Sequence, residues 1–308
     1  MGSDKWEQSG GDPSGLKPST RSASRALLFI FLLLLIIGSV VQVMHFEIGM
    51  LITMWIIILI PSLWYLRRHN VDLETFARIK PLEKKFIPTI TVLVLSAWIL
   101  SMLAASLLIA LLMSFGFEPL EIIPPPENLG QLLRYFFVLG ISAGVCEEVL
   151  FRGAVMPSFE RQGTTLSALV FSTILFALFH ISFTNLVSVL FLGFMIGLVV
   201  IKTGSLWAGI YYHALNNLIA ATYLYLAANY GFPQELDSLF TLLLIVLLAF
   251  MGLFYGLRKL QQQSSVEPLL ENPEEWLPPD WLNGSTIVII LLFFIVASIE
   301  LLAGFGML

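Results

Sequence analysis

Long apolar stretches recur along the whole chain, and they constrain its fold more than any other feature. A helix that crosses a bilayer needs about 20 consecutive apolar residues, and nine stretches come close to that length or exceed it. They lie at about 26–45, 48–66, 87–115, 131–158, 164–181, 184–201, 205–228, 237–257 and 284–304. Only 12% of the residues are charged, against about 25% in soluble domains. The sequence therefore predicts an all-α, polytopic helical membrane protein with about eight or nine transmembrane helices.

Polar segments divide the chain into four parts. Residues 1–25 are polar and rich in Gly and Ser, which predicts a disordered tail. A membrane domain follows at 26–258, and a polar linker with several acids follows at 259–283. The last apolar stretch, within 284–308, is then expected to be an appended transmembrane helix. No internal repeat is visible, which disfavours a transporter built from inverted halves.

The basic residues indicate how the helices are oriented. If the N-terminus is inside the cell, every Lys and Arg except Arg134 falls on one side of the predicted bundle. Cytoplasmic loops carry such an excess of positive charge. We therefore expect a multi-pass protein of the cell membrane with a cytoplasmic N-terminus, a disordered cytoplasmic tail and a cytoplasmic 259–283 linker. Membrane lipid is an expected partner, whereas the net charge of −5 gives no reason to expect nucleic acid.

The fourth apolar stretch contains two adjacent acids, Glu147 and Glu148, followed by Arg152. A charge in hydrocarbon costs about 2.5–3.5 kcal/mol on insertion scales, so such a group is more often functional than accidental. Glu148 and Arg152 are four residues apart and share a helix face, which predicts that Arg152 holds Glu148. Glu147 is rotated by about 100° on the helix. It is therefore free to face other helices, and we interpret it as the working group.

Two histidines in later apolar stretches, His180 and His213, are candidate partners for Glu147. Phe176 precedes His180 by four residues and Asn217 follows His213 by four, so each pair shares a helix face. A carboxylate can act as a general base toward water, and an imidazole can orient that water or pass its proton. An imidazole with a neighbouring amide can stabilise a developing oxyanion. The set predicts hydrolysis of an acyl bond by activated water, without a covalent intermediate.

Other interpretations of these residues stay open. Glu148, His180 and His213 could form a zinc site with an open position for water, although the usual His-Glu-x-x-His spacing is absent. Buried Glu and His also serve in transporters and proton relays. Polar residues in membrane helices often only join neighbouring helices, as in a non-catalytic scaffold or immunity-type protein.

Three small residues near these motifs are interpreted as packing residues. Cys146, the single cysteine, excludes intrachain disulfides, and we interpret it as a small buried helix residue and not as a nucleophile. Gly193 and Gly197 form a Gly-x-x-x-Gly pattern, which is typical of close helix packing.

Three motifs resemble the CPBP family, the group of type II CAAX prenyl proteases and bacteriocin-processing proteins also called the abortive-infection family. The family pattern is Glu-Glu-x-x-x-Arg, then Phe-x-x-x-His, then His-x-x-x-Asn/Asp. The chain reads EEVLFR at 147–152, FALFH at 176–180 and HALNN at 213–217. The resemblance covers roughly 130–228. It implies a conical catalytic core and an intramembrane endopeptidase that cuts prenylated CAAX-type proteins or other membrane-anchored peptides.

The same resemblance implies a role for each motif residue. Glu147 and His180 would activate the water, and His213 and Asn217 would form the oxyanion site. Glu148 would be supportive together with Arg152. No cofactor is favoured, because Asn217 suits an oxyanion site better than a zinc site, and zinc is the alternative.

The depths of the motifs in the membrane raise a geometrical question. Along their helices, Glu147 and His180 lie about 24 and 25 Å from a turn near Gly163. His213 lies only about 14 Å from the turn at Gly204. We therefore expect that hairpin to project into the cytoplasm by roughly 10 Å, or one segment to be tilted or re-entrant.

Overall fold

The computed structural model describes residues 17–120, 123–231, 238–266 and 280–308. Within these ranges the chain forms nine helices, which we number in chain order. They are α1 Thr20–Met44, α2 Phe46–Arg68, α3 Lys84–Ser114, α4 Leu129–Glu160, α5 Thr165–Phe179, α6 Leu186–Thr203, α7 Leu206–Tyr230, α8 Leu239–Gln263 and α9 Gly284–Gly304. The described helices correspond one to one to the nine predicted stretches.

Seven of the nine described helices are long and apolar enough to cross a membrane. The exceptions are α5, which has only 15 residues, and α7, which has 25 residues but is too polar on average. The protein is therefore an all-helical, polytopic membrane protein, as the apolar stretches predict. These two helices carry the candidate histidines. The short span of α5 and the polar side chains of α7 both depart from the ordinary pattern of a membrane helix.

The first helix begins before the apolar stretch that predicts it. The hydroxyl of Ser19 accepts a hydrogen bond from the backbone of Ser22, and the Ser22 hydroxyl accepts one from the backbone of Ser19. This capping box stabilises a helix start. Residues 20–25, which we assigned to the disordered tail, are therefore helical, and residues 1–16 lie outside the described part of the chain.

The end of α8 also differs from the predicted boundary. This helix continues to Gln263, so residues 259–263 belong to it and not to the predicted linker. The side chain of Gln263 accepts a hydrogen bond from Thr89 and donates one to the carbonyl of Lys85, both near the start of α3. These bonds explain why the helix persists past the apolar stretch. Residues 267–279 of the linker lie outside the described ranges.

The fourth helix occupies the centre of the bundle and contacts α1, α2, α5 and α7. Its middle part, Ala143–Glu148, is an ordinary α-helix between two π-helical segments, Phe136–Ser142 and Val149–Val155. Such wider turns are frequently found at functional sites. The acidic pair thus lies in the buried midsection of a central helix, next to a local change in helix geometry.

One loop ties together several turns on one side of the bundle. In the α2–α3 loop, the Arg78 guanidinium donates to Glu160 at the end of α4, at 2.5 Å. The Arg78 carbonyl accepts from the backbone of Leu206 at the start of α7, at 2.7 Å. The Lys80 carbonyl accepts from the hydroxyl of Ser205, at 2.5 Å. The α2–α3, α4–α5 and α6–α7 turns therefore lie on the same side of the bundle, as the pattern of basic residues predicts.

The last helix packs against the core. Helix α9 contacts α1 and α5, and it contributes Ile289, Phe293 and Ala297 to the same apolar cluster as the central helices. The Thr286 hydroxyl also donates to the hydroxyl of Ser24 on α1, at 3.1 Å. The helix that we interpreted as an appendage is therefore packed on the membrane domain along much of its length.

Candidate active site

Glu147 on α4 and His180 at the end of α5 face each other. Glu147 Oε2 lies 3.8 Å from His180 Nε2, and the Glu147 side chain is buried. His180 Nδ1 lies 2.9 Å from the carbonyl oxygen of Phe176. A carbonyl can only accept, so Nδ1 must carry a proton, and Nε2 of the neutral ring presents a lone pair. Two hydrogen-bond acceptors from different helices thus point toward each other.

Glu148 faces in a different direction and has different partners. Its Oε1 accepts hydrogen bonds from Arg152 Nη1 at 3.2 Å and from His213 Nδ1 at 2.8 Å. All three side chains are almost completely buried. The pairing of Glu148 with Arg152 is the one that their spacing predicts. The bond to His213 was not predicted, and it means that the two adjacent carboxylates face two different histidines.

Arg152 is held by two further contacts. Its Nη2 donates to the carbonyl of Gly193 on α6, at 2.6 Å. Its guanidinium carbon lies 4.5 Å from the centre of the Phe176 ring. The same ring makes edge-on contacts with His180 and His213, with centroids 4.6 and 5.9 Å apart. Phe176 thus contacts the arginine and both imidazoles, which explains why an aromatic residue suits this position.

The glycines of α6 permit a close approach to α5, as the Gly-x-x-x-Gly pattern predicts. A Cβ atom at Gly193 would lie 2.8 Å from the Phe176 ring, and one at Gly197 would clash with Leu169. Close packing is therefore confirmed. Gly193 has a second part in the site, because its carbonyl is the acceptor for Arg152. A backbone acceptor leaves no signal in a sequence, so this contact could not be predicted.

Asn217 lies one turn after His213 on α7. Its Nδ2 donates to the carbonyl of Leu139 in a π-helical segment of α4, at 2.8 Å, and its Oδ1 accepts from Asn216 at 3.1 Å. An amide nitrogen carries two hydrogens, and the bond to Leu139 uses one of them. Asn217 is therefore oriented by the helix that also carries the acidic pair.

The structure brings the motifs together despite the difference in depth that the sequence suggests. His213 contacts Glu148 at 2.8 Å, and His180 lies 3.8 Å from Glu147. The turn at 203–205 is bonded to the 78–80 loop, on the side of the bundle where α4 ends. The four side chains therefore meet within one region of the bundle.

The three side chains of the zinc alternative have different neighbours in this structure. Glu148 already accepts from Arg152 and His213, whereas His180 faces the other carboxylate, Glu147. A zinc site needs lone pairs that converge on one point at about 2.0–2.3 Å. Within the described residues, no group of three or more His, Cys, Asp or Glu side chains is arranged to hold a metal ion.

Cys146 and Ser142 lie close to the acidic pair and contribute to the packing of the helices. Cys146 is completely buried in the apolar core, which agrees with its interpretation as a packing residue. The Ser142 hydroxyl accepts from the indole of Trp55 on α2, at 3.0 Å. This bond joins α2 to the helix of the acidic pair.

Glu300 on α9 belongs to none of the three motifs, although it reaches the loop that follows His180. Its carboxylate accepts hydrogen bonds from the hydroxyls of Ser182 and Thr184 and from the backbone N–H groups of Phe183 and Thr184. A signal was available, because Glu300 is the one acid in the last apolar stretch. An ionisable residue inside a membrane helix is a functional candidate by default.

Fold and site together define a multi-pass membrane protein with a buried acidic pair, two histidines and an asparagine on three central helices. Residues 129–219 match the family described as type II CAAX prenyl endopeptidase, Rce1-like, and all three motifs lie within this segment. The chain thus contains a domain of the Rce1-like type II CAAX prenyl endopeptidase family, and the CPBP resemblance is confirmed. A domain of this family implies a peptidase with a protein substrate. No curated protein and no solved structure matches the chain.

Proposed function

We propose that the protein is an intramembrane endopeptidase that hydrolyses a peptide bond with water activated by Glu147 and His180. The observation that supports this most directly is the 3.8 Å separation between Glu147 Oε2 and His180 Nε2. This distance is too long for a direct hydrogen bond. A water molecule between the two acceptors can donate one hydrogen to each, which would hold its oxygen free for attack.

The proposed reaction needs no covalent intermediate. Glu147 takes a proton from the water as the water oxygen bonds to the scissile carbonyl carbon, and the carbonyl electron pair moves to its oxygen. The tetrahedral intermediate then collapses, and the C–N bond breaks as its electron pair moves to nitrogen. The proton held by Glu147 is transferred to the leaving amine, directly or through His180. One product ends in a new carboxyl group and the other in a new amino group.

His213 and Asn217 are the proposed donors to the oxyanion. Glu148 accepts the Nδ1 proton of His213, so Nε2 can donate only when the ring carries a second proton. The carboxylate of Glu148 would stabilise that imidazolium, and Arg152 holds the carboxylate in place. The second amide hydrogen of Asn217 would supply another donor. Such preorganised donors lower the energy of a developing oxyanion.

The proposed substrate is a membrane-anchored protein or peptide, including a prenylated CAAX-type protein. The site lies on helices of the membrane domain, which favours a substrate held in the same membrane. We further propose that the N-terminus and the basic loops are cytoplasmic and that the protein resides in the cell membrane. The shared side of the Arg78 and Lys80 contacts supports this orientation.

The test is a cleavage assay with purified protein in proteoliposomes. Quenched membrane peptides with and without a prenyl group are offered to the wild type, Glu147→Gln and His180→Ala. Removing a general base lowers the rate by about 10²- to 10⁴-fold, so both variants should lose most of the turnover. Glu83→Gln, the same chemical change at an exposed loop acid, is the matched control and should keep it.

Three outcomes would contradict the proposal. Equal cleavage by the wild type and both site variants would remove the assigned roles. Loss of turnover with a chelator, restored by zinc, would favour a metal mechanism. Proton flux without any cleavage, abolished by Glu147→Gln, would indicate a relay or transporter.

A further inference from the structure

The loop between α5 and α6 follows a helix that is shorter than a bilayer is thick. Helix α5 has 15 residues and is therefore about 22 Å long, shorter than the roughly 30 Å of a hydrocarbon core. If its first turn lies at one surface, its last turn ends inside the apolar layer. Non-helical backbone at that depth is tolerated only where protein covers it and satisfies its polar groups. At that depth, the N–H groups of the 181–185 loop need acceptors from a neighbouring helix.

Glu300 of α9 supplies these acceptors. Its Oε2 accepts from the backbone N–H of Phe183 at 2.5 Å. Its Oε1 accepts from the hydroxyl of Thr184 at 2.6 Å, from the hydroxyl of Ser182 at 3.1 Å and from the Thr184 N–H at 3.4 Å. Glu300 lies four residues before Gly304, so it is about 6 Å below the end of its helix. One carboxylate thus satisfies most of the donors at the tip of this loop.

Ile181 lies between His180 and the segment Ser182–Thr184 that bonds to Glu300, and its backbone is strained. Ile181, directly after His180, has φ of +53°. A β-branched residue rarely adopts this left-handed conformation. Such strain persists only where the surrounding structure holds the backbone in place. The bonds to Glu300 begin at the next residue, Ser182, so they are placed to maintain the strained turn.

We infer that Glu300 is a positioning residue for His180. By holding Ser182–Thr184, its carboxylate sets the direction of the chain after Ile181, and so the place of the imidazole relative to Glu147. The inference rests on the proposed function for its catalytic meaning. It assigns a role in the site to α9, which lies outside the 129–219 segment that matches the family. A peptidase core of this chain without α9 would lack a component of its active site.

The test compares Glu300→Gln, Glu300→Asp and Ser298→Ala with the wild type in proteoliposomes. The amide of Gln places an N–H₂ donor where one carboxylate oxygen now accepts, whereas Asp keeps the charge on a side chain shorter by one methylene. Ser298 is exposed on the same helix and donates to the carbonyl of Phe294 in that helix, so it is the matched control. Two quantities are measured: hydrogen exchange of the 181–185 amides, and kcat and KM for the cleaved peptide.

We expect Glu300→Gln to accelerate amide exchange at Phe183 and Thr184. It should also lower kcat by about 10- to 100-fold, because misplacing a catalytic group by about 1 Å has a cost of that size. KM should change by less than about twofold, because the binding of the substrate is not altered. Glu300→Asp should recover part of kcat. Ser298→Ala should match the wild type in both measurements. A general loss of folded protein would instead lower the amount of active enzyme without this recovery by Asp.

Unchanged exchange in Glu300→Gln would overturn the inference whatever the activity. Faster exchange with a wild-type kcat would show that the loop is held but does not position His180, and would overturn the inference too. A wild type without any turnover would overturn the proposed function, and with it the catalytic meaning of Glu300. The exchange data would still decide in that case whether Glu300 holds the loop, so the two failures are distinguishable.

Discussion

Replacing Arg152 with Met should destabilise the protein more than any loss of a surface charge. Arg152 is completely buried, as is Glu148, and the guanidinium bonds both this carboxylate and the Gly193 carbonyl. Met fills a similar volume but leaves Glu148 with His213 as its remaining partner. Breaking a buried ion pair by removing one member costs about 3–5 kcal/mol. That range corresponds to about 2 to 3.5 orders of magnitude in the unfolding equilibrium.

The smaller contributions of Arg152 are contained in this figure. Its contact with the Phe176 ring is worth up to about 2 kcal/mol, and an unsatisfied carbonyl at Gly193 costs about 1–3 kcal/mol. These values are not additive, because one guanidinium makes all three contacts.

The assay is unfolding in mixed micelles with increasing SDS, followed by tryptophan fluorescence. Arg134→Met is the matched control, because its pair with Glu47 is more than half exposed on the Arg134 side. A surface pair of this kind contributes about 0–1 kcal/mol.

A double variant separates charge balance from packing. Glu148→Gln combined with Arg152→Met removes both charges and keeps an acceptor for His213. We expect this variant to be more stable than Arg152→Met alone, because no unpaired buried charge remains. If Arg152→Met costs less than about 1 kcal/mol, or if the effects of the two single changes simply add, the reasoning from charge balance is refuted.

Two further predictions concern α4. A Cβ atom at Gly144 would lie 3.2 Å from the backbone nitrogen of Ala214, so Gly144→Ala should push α7 away and lower stability by about 1–3 kcal/mol. At Gly153 the nearest atom would be 3.7 Å away, so Gly153→Ala should be neutral or stabilise the protein by up to about 1 kcal/mol through helix propensity. Equal effects of the two glycine substitutions in SDS unfolding would contradict the packing account. Cys146 is completely buried, so Cys146→Ala should keep turnover within about twofold, and a maleimide should label the native thiol only after denaturation. Loss of turnover in Cys146→Ala would instead support a thiol nucleophile.

The local relationships within each helix could be predicted well. The pairing of Glu148 with Arg152 follows from a spacing of four residues and was found as expected. The divergence of Glu147 from Glu148 follows from helical rotation, and the structure shows it in their separate partners. Close packing at Gly193 and Gly197 was also indicated by their spacing. Each of these features depends only on the geometry of one helix.

The predictions were weaker where a boundary or a partner depends on other parts of the chain. The capping box at Ser19 starts α1 before the apolar stretch, and hydropathy alone does not detect a cap. The contact of His213 with Glu148 depends on how α7 packs against α4. Glu300 was visible as a lone acid in an apolar stretch, but its partners lie more than a hundred residues earlier in the chain.

The apolar stretches by themselves determined that this chain is a helical membrane protein, because only a helix satisfies its own backbone in hydrocarbon. Helical periodicity likewise determined which side chains share a face within one segment. Only the tertiary structure decided which histidine faces which carboxylate, and that the last helix holds the loop after His180. The physical reason is that the rotation and depth of one helix against another result from the packing of all their side chains together, and no single segment contains that information.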